Sequence, residues 1–112
     1  VLQERKLGTG VGDEGGFAPQ LESDERALEL ILEAIDRAGY KAGRQIAIAL
    51  DAAATELQED GRYYFRKSGG GIRDAAGMLE LYQDWVGRYP IVSIEDGFSE
   101  DDWDGWGAMT RK

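Results

Sequence analysis

Apolar residues recur along this chain with two different periods, and the switching between them predicts its elements. Leu28, Ile31, Leu32 and Ile35 fall at i, i+3, i+4 and i+7, which reads as one face of a helix over residues 23–38. Ser23 is placed to cap that helix, Asp24 and Glu25 suit its first turn, and Gly39 ends it. The run Ile46-Ala47-Ile48-Ala49-Leu50 has strand length and stops at Asp51; without polar alternation, it predicts a strand covered on both faces, as in a parallel sheet. Ile91-Val92-Ser93-Ile94 repeats the pattern and ends on Glu95-Asp96.

Between the two runs, Asp60-Gly61 predicts a hairpin turn within residues 57–65, and Gly69-Gly70-Gly71 breaks the chain. Met78, Leu81, Tyr82, Trp85 and Tyr89 then form a helical stripe over about residues 74–88, stopped by Pro90 and weakened by Gly77. Ser99, with Asp102 three residues on, resembles a capping box that opens a last helix through Trp103, Trp106 and Met109. Before all of these, residues 1–7 read as the last turns of a helix whose beginning is missing, with Gly8 as its C-cap. Residues 8–19 read as a glycine-rich loop. The alternation of strands and helices predicts an α/β unit with parallel strands joined by crossovers, part of one domain.

Composition removes chemistry rather than adding it. The chain of 112 residues has no cysteine and no histidine, so disulfides, thiolate sites, Ser-His-Asp triads and the usual zinc ligand are excluded. Proton chemistry is left to Asp, Glu, Lys and Tyr. The net charge of -9 opposes binding to nucleic acid or anionic membranes, and no apolar stretch has the length of a bilayer span. A surplus of carboxylates suits divalent cations, although most acids on any surface only keep it solvated.

Asp51 and Glu95 each follow an apolar strand, and parallel α/β folds gather ligands at the carboxyl ends of their strands. Hard oxygens from successive strand ends are what Mg²⁺ requires, so both are candidate ligands; an acid after a strand equally serves as an N-cap or turn former. Asp96 ranks below Glu95, because continued strand geometry points it the other way. Glu14 and Asp13 lie among Gly12, Gly15 and Gly16, where backbone can approach a small ligand and a carboxyl can do acid-base work. An acidic glycine-rich loop is also an ordinary solvated turn, and this one lacks the spacing and Lys of a phosphate-binding loop. Trp85, Trp103 and Trp106 read as helix and core packing, not a stacking platform.

The strings VGDEGGFAP (Val11 to Pro19), ALELILEAIDRAGY (Ala27 to Tyr40), IALD (Ile48 to Asp51) followed by Ala53-Ala54-Thr55-Glu56, and RYPIVSIEDGFSEDDWDGW (Arg88 to Trp106) resemble the enolase family, in register over nearly the whole chain. The strings SIEDG and DWDGW are closer to its bacterial members. Thr55, Leu57 and Ala52 stand where the family commonly has Ser, Phe and often Cys, and residues 58–77 diverge further.

The resemblance implies part of a (β/α)8 TIM-type barrel, with residues 1–112 as an incomplete catalytic barrel domain. It also implies dehydration of 2-phosphoglycerate to phosphoenolpyruvate with Mg²⁺. Asp51 and Glu95 match two of the family's three metal carboxylates, and Glu14 matches the glutamate that assists departure of the C3 hydroxyl. The third carboxylate, the lysine base and the substrate-binding histidine fall outside these residues, so the segment alone is expected to be inactive. The resemblance further implies a homodimeric parent, a small-molecule substrate as partner, and a cytoplasmic location with some bacterial members also at the cell surface or secreted. Two other readings are a stand-alone acidic α/β interaction module and a sugar-acid or racemase relative; the Gly-Asp-Glu-Gly-Gly string argues against the relative.

Overall fold

A computed structural model describes all 112 residues, Val1 to Lys112. Strands β1 (Val11–Gly12) and β2 (Gly15–Phe17) come first, followed by helix α1 (Asp24–Arg37) and strand β3 (Ile48–Asp51). A short 3-10 turn (Ala54–Leu57) leads to β4 (Gln58–Glu59), β5 (Arg62–Phe65) and β6 (Gly71–Arg73). Helix α2 (Ala75–Arg88), strand β7 (Ile91–Glu95) and helix α3 (Trp103–Thr110) complete the chain.

Local chemistry sets the helix limits. Ser23 caps α1, its Oγ accepting from the Arg26 backbone N–H, and Asp74 caps α2 through Gly77 N–H. At the third helix the predicted capping box is wrong in its cap: Asp102, not Ser99, accepts from Gly105 N–H, while Ser99 is buried and bonded elsewhere. The predicted hairpin turn is present. Asp60 and Gly61 both adopt left-handed φ, 50° and 75°, between antiparallel β4 and β5. Gly71, expected to break the chain, instead opens a third strand of that sheet, pairing with Phe65.

Two further expectations are corrected. Residues 1–7 form turns rather than helix, pinned to α1 by ion pairs from Glu4 to Arg37 and from Arg5 to Glu33. Residues 8–19 are not a featureless loop: β1 and β2 pair antiparallel, with Ala18 N–H bonded to Gly10 O at 2.9 Å.

The central sheet has only two strands, β3 and β7, in parallel. Ile48 pairs with Ile91 and Leu50 with Ile94, and all four pack into or against a core built on Met78, Leu81, Tyr82 and Trp85 of α2. Each large side chain removed from water there contributes about 1.5–3 kcal/mol. The opposite face of the sheet carries Ala49, Ser93, Asp51 and Glu95, all exposed. The strands are therefore covered on one face, not both. On α1 the buried residues are Leu28, Leu30 and Ile35, with Ile31 left 44% exposed, and Trp103 is 80% exposed rather than packed.

Candidate functional site

Strand β3 ends on Asp51 and β7 on Glu95, and the parallel register makes these two residues direct partners. Paired positions in a sheet project to the same face, so both carboxylates leave the open face at one end of the strands. Small residues lie beneath them, Ala49 opposite Ser93. A register irregularity between Ile48 and Ala49 produces this match: Val92 is the extra residue, and without it Asp51 would face Ile94.

Backbone geometry then turns both chains away from the strand direction. Ala53 and Asp96 hold left-handed φ of 45° and 47°, a conformation costing a non-glycine residue about 1–2 kcal/mol. Strand geometry stops at Glu95, so the alternation that would have aimed Asp96 oppositely does not continue through it. The ladder nevertheless runs on: Ala52 N–H donates to Glu95 O and Ala54 N–H to Asp96 O, each at 3.0 Å. Strain at the exits of two strands, held in place by bonds between those exits, is the kind of feature that accompanies functional sites.

The Asp51 carboxylate takes part in its own turn. Its Oδ1 accepts from Ala53 N–H at 3.0 Å, so the turn-forming role weighed for this residue is real and coexists with exposure. The turn holds the side chain in one orientation. Glu95 makes no such bond and stands exposed beside it. No cluster of three or more Asp or Glu side chains is close enough to hold a metal ion. The pair is a two-carboxylate, hard-oxygen donor set, and two protein carboxylates with waters and substrate oxygens is the usual way Mg²⁺ is held.

Glu14 is not part of this pair. It occupies the turn between β1 and β2, a separate sheet that shares no hydrogen bond with β3 or β7. Positive φ at Gly15 and Gly16, 96° and 49°, makes that tight turn and leaves Glu14 at its exposed tip.

Behind Glu95, the segment from 97 to 100 is bonded at nearly every residue. Tyr82 Oη donates to Gly97 O at 2.8 Å, and Phe98 is 1% exposed among Tyr63, Tyr82 and Trp106, all in edge-to-face contact. Ser99 N–H donates to Tyr63 Oη at 2.9 Å, while Ser99 O accepts from Trp106 Nε1 and Glu100 N–H donates to Thr55 Oγ1. Tyr63 Oη donates in turn to Asp102 Oδ2 at 2.6 Å. Burial, and then the Asp102 hydrogen bond, push the Tyr63 phenol up to about 12. Burial also raises Tyr82, with smaller contributions from Tyr63 and Asp24.

From sequence, Tyr82 belongs to the helical stripe over residues 74–88, and Tyr63 lies just beyond the Asp60-Gly61 turn. Alternation of Tyr63 and Phe65 toward the core was the available signal, and it gave burial without the hydroxyl's partners.

Parallel strands ending in paired carboxylates, with helices packed on one face, are an α/β arrangement of the kind that gathers ligands at the carboxyl ends of its strands. The family model for the enolase C-terminal TIM barrel domain matches residues 1–112, and the chain belongs to the enolase family. Its fold is part of a (β/α)8 barrel, contributing two of the parallel strands, and no barrel closes within these residues.

Proposed function

We propose that these residues work within a bacterial-type enolase that dehydrates 2-phosphoglycerate to phosphoenolpyruvate, with Asp51 and Glu95 binding Mg²⁺ and Glu14 acting on the leaving group. The observation that carries the reading is the in-register pairing of Asp51 with Glu95 at the carboxyl ends of parallel strands. Membership of the enolase family supports it, and the Gly-Asp-Glu-Gly-Gly turn favours a true enolase over sugar-acid or racemase relatives.

Bound Mg²⁺ would supply positive charge to stabilise the substrate carboxylate as it gains negative charge. Asp51 and Glu95 would hold the ion from paired strand ends, the Asp51 carboxylate oriented by its bond from Ala53 N–H and the Glu95 backbone tied to the neighbouring strand through Ala52 N–H. The reaction breaks the C2–H and C3–O bonds and forms the C2–C3 double bond. A base outside these residues takes the C2 proton, and the Glu14 carboxyl gives its proton to the departing C3 hydroxyl, which leaves as water. Alone, the 112-residue segment has neither that base nor a third metal carboxylate, and it is inactive on this reading. The working protein is a cytoplasmic homodimer, also presented at the cell surface or secreted, whose partner is the small-molecule substrate.

The test uses the full enolase polypeptide with Asp51→Asn, Glu95→Gln and Glu14→Gln. Either metal-site change should lower kcat by about a thousandfold and raise the Mg²⁺ concentration needed for half-maximal rate. Glu14→Gln should lower kcat by about 10²–10⁴-fold with the Mg²⁺ requirement unchanged. An unaltered Mg²⁺ requirement in both metal-site variants overturns the assignment.

A further inference from the structure

We propose that Tyr63 and Tyr82 are positioning residues for Glu95, acting through the backbone of the segment that follows it. The inference rests on the reading of Asp51 and Glu95 as a metal pair, and it concerns how that pair is kept in place before any ion arrives.

Glu95 and Asp96 stand where a strand ends and a left-handed residue reverses the chain, so nothing in the local sequence holds them. Their carbonyls are bonded on one side to Ala52 and Ala54, which ties the two strand ends to each other but to nothing else. The connection to the body of the protein comes two and four residues later. Tyr82, on α2 and 3% exposed, donates its hydroxyl to Gly97 O; Tyr63, on β5 and 0% exposed, accepts from the Ser99 N–H and donates its own O–H to Asp102 at the start of α3.

The two phenols therefore come from two elements packed behind the sheet and grip the same short segment, with the Phe98 ring between them at 6.2 and 6.1 Å. Burying two hydroxyls solely for stability is uneconomical, because a buried hydroxyl brings a desolvation cost that its bond only about balances. What such bonds do provide is one defined arrangement. Phe98 could fill the same space with the segment shifted along the strand axis; the carbonyl of Gly97 and the N–H of Ser99 can meet both hydroxyls in one position only. Gly97 suits this site because a Cβ there would come within 3.3 Å of the Tyr82 ring.

The experiment replaces Tyr63→Phe and Tyr82→Phe, singly and together, in the full enolase polypeptide. Two quantities are read without turnover: the Mg²⁺ dissociation constant by titration calorimetry, and amide hydrogen exchange at Ala52 and Ala54 in the metal-free protein. The double variant should bind Mg²⁺ about tenfold more weakly, the size of effect found when a group supporting a metal ligand is lost, and exchange at both amides should accelerate. Phe65→Leu serves as the comparison, since Phe65 is in the same core at 8% exposed and makes no bond to residues 95–99.

Phe65→Leu should lower the thermal midpoint without moving Mg²⁺ binding. If the tyrosine variants weaken Mg²⁺ binding no more than Phe65→Leu does, Tyr63 and Tyr82 are structural only and the positioning role is wrong. If Glu95→Gln also leaves Mg²⁺ binding unchanged, the metal assignment itself has failed, so the two failures are distinguishable.

Discussion

The carboxylates assigned to one reaction sit in two regions held in opposite ways. Glu95 is followed by a segment bonded to α2, β5, α3 and the 3-10 turn, with Phe98 sealed beneath it. Glu14 rides on a two-stranded hairpin whose backbone bonds are its own, with Val11 and Phe17 left 68% and 66% exposed. Beside it lies an open groove of about 930 Å³, lined by Leu2, Phe17, Pro19, Leu30 and Ile31. On the proposed reading, a metal pair must keep its oxygens at fixed spacing, and Glu95 is followed by packed elements. A proton donor that meets a leaving group can sit on a turn placed by whatever else it packs against.

The largest expected effect breaks the well-held region. Phe98→Ala removes a ring with 1% exposure from the centre of three aromatic contacts and should cost about 3–5 kcal/mol, read as a lower urea midpoint. Retention of the wild-type midpoint would mean that the segment after Glu95 is not anchored by packing.

A smaller effect comes from high pH. The folded Tyr63 phenol lies at about 12 against an ordinary 10.0, so the folded state keeps its proton where the unfolded state loses it. Stability from this group is fully present below pH 10.0 and is lost as pH rises from there through about 12, by roughly 2 kcal/mol. Tyr82, also raised, acts in the same direction. Urea midpoints across that window should fall for the wild type and fall less for Tyr63→Phe; parallel slopes would remove the buried phenol as the cause.

The smallest effect belongs to the hairpin. Gly16 holds φ of 49° with nothing within 4 Å of an added Cβ, so Gly16→Ala introduces backbone strain of about 1 kcal/mol and no clash. Because the hairpin is bonded only to itself, hydrogen exchange at Ala18 should quicken while the urea midpoint hardly moves. A midpoint shift as large as that of Phe98→Ala would show the two regions to be one cooperative unit.

Most of the elements were legible because their signals are local. Ser23 and Asp74 lie at the predicted helix starts, Asp60-Gly61 makes the predicted turn, and both apolar runs end as strands on Asp51 and Glu95. The errors fell where partners are distant. Ser99 looked like a cap, yet it serves Tyr63 and Trp106, which sit 36 residues before it and 7 after. Ile31 fits the helical period and Leu30 does not, yet Leu30 is the one buried, because neighbours outside the helix decide which residue is covered.

The sequence by itself determined the three helices, the two parallel strands and the Asp60-Gly61 turn, and that an acid stands at the end of each parallel strand, because period, capping and turn chemistry act over a few residues. Only the tertiary structure decided that Asp51 faces Glu95, that Ala53 and Asp96 take left-handed turns, and that two phenols grip the segment behind. Register and hydrogen-bond partnership arise between residues tens of positions apart, and no local pattern specifies which of several matching surfaces will meet.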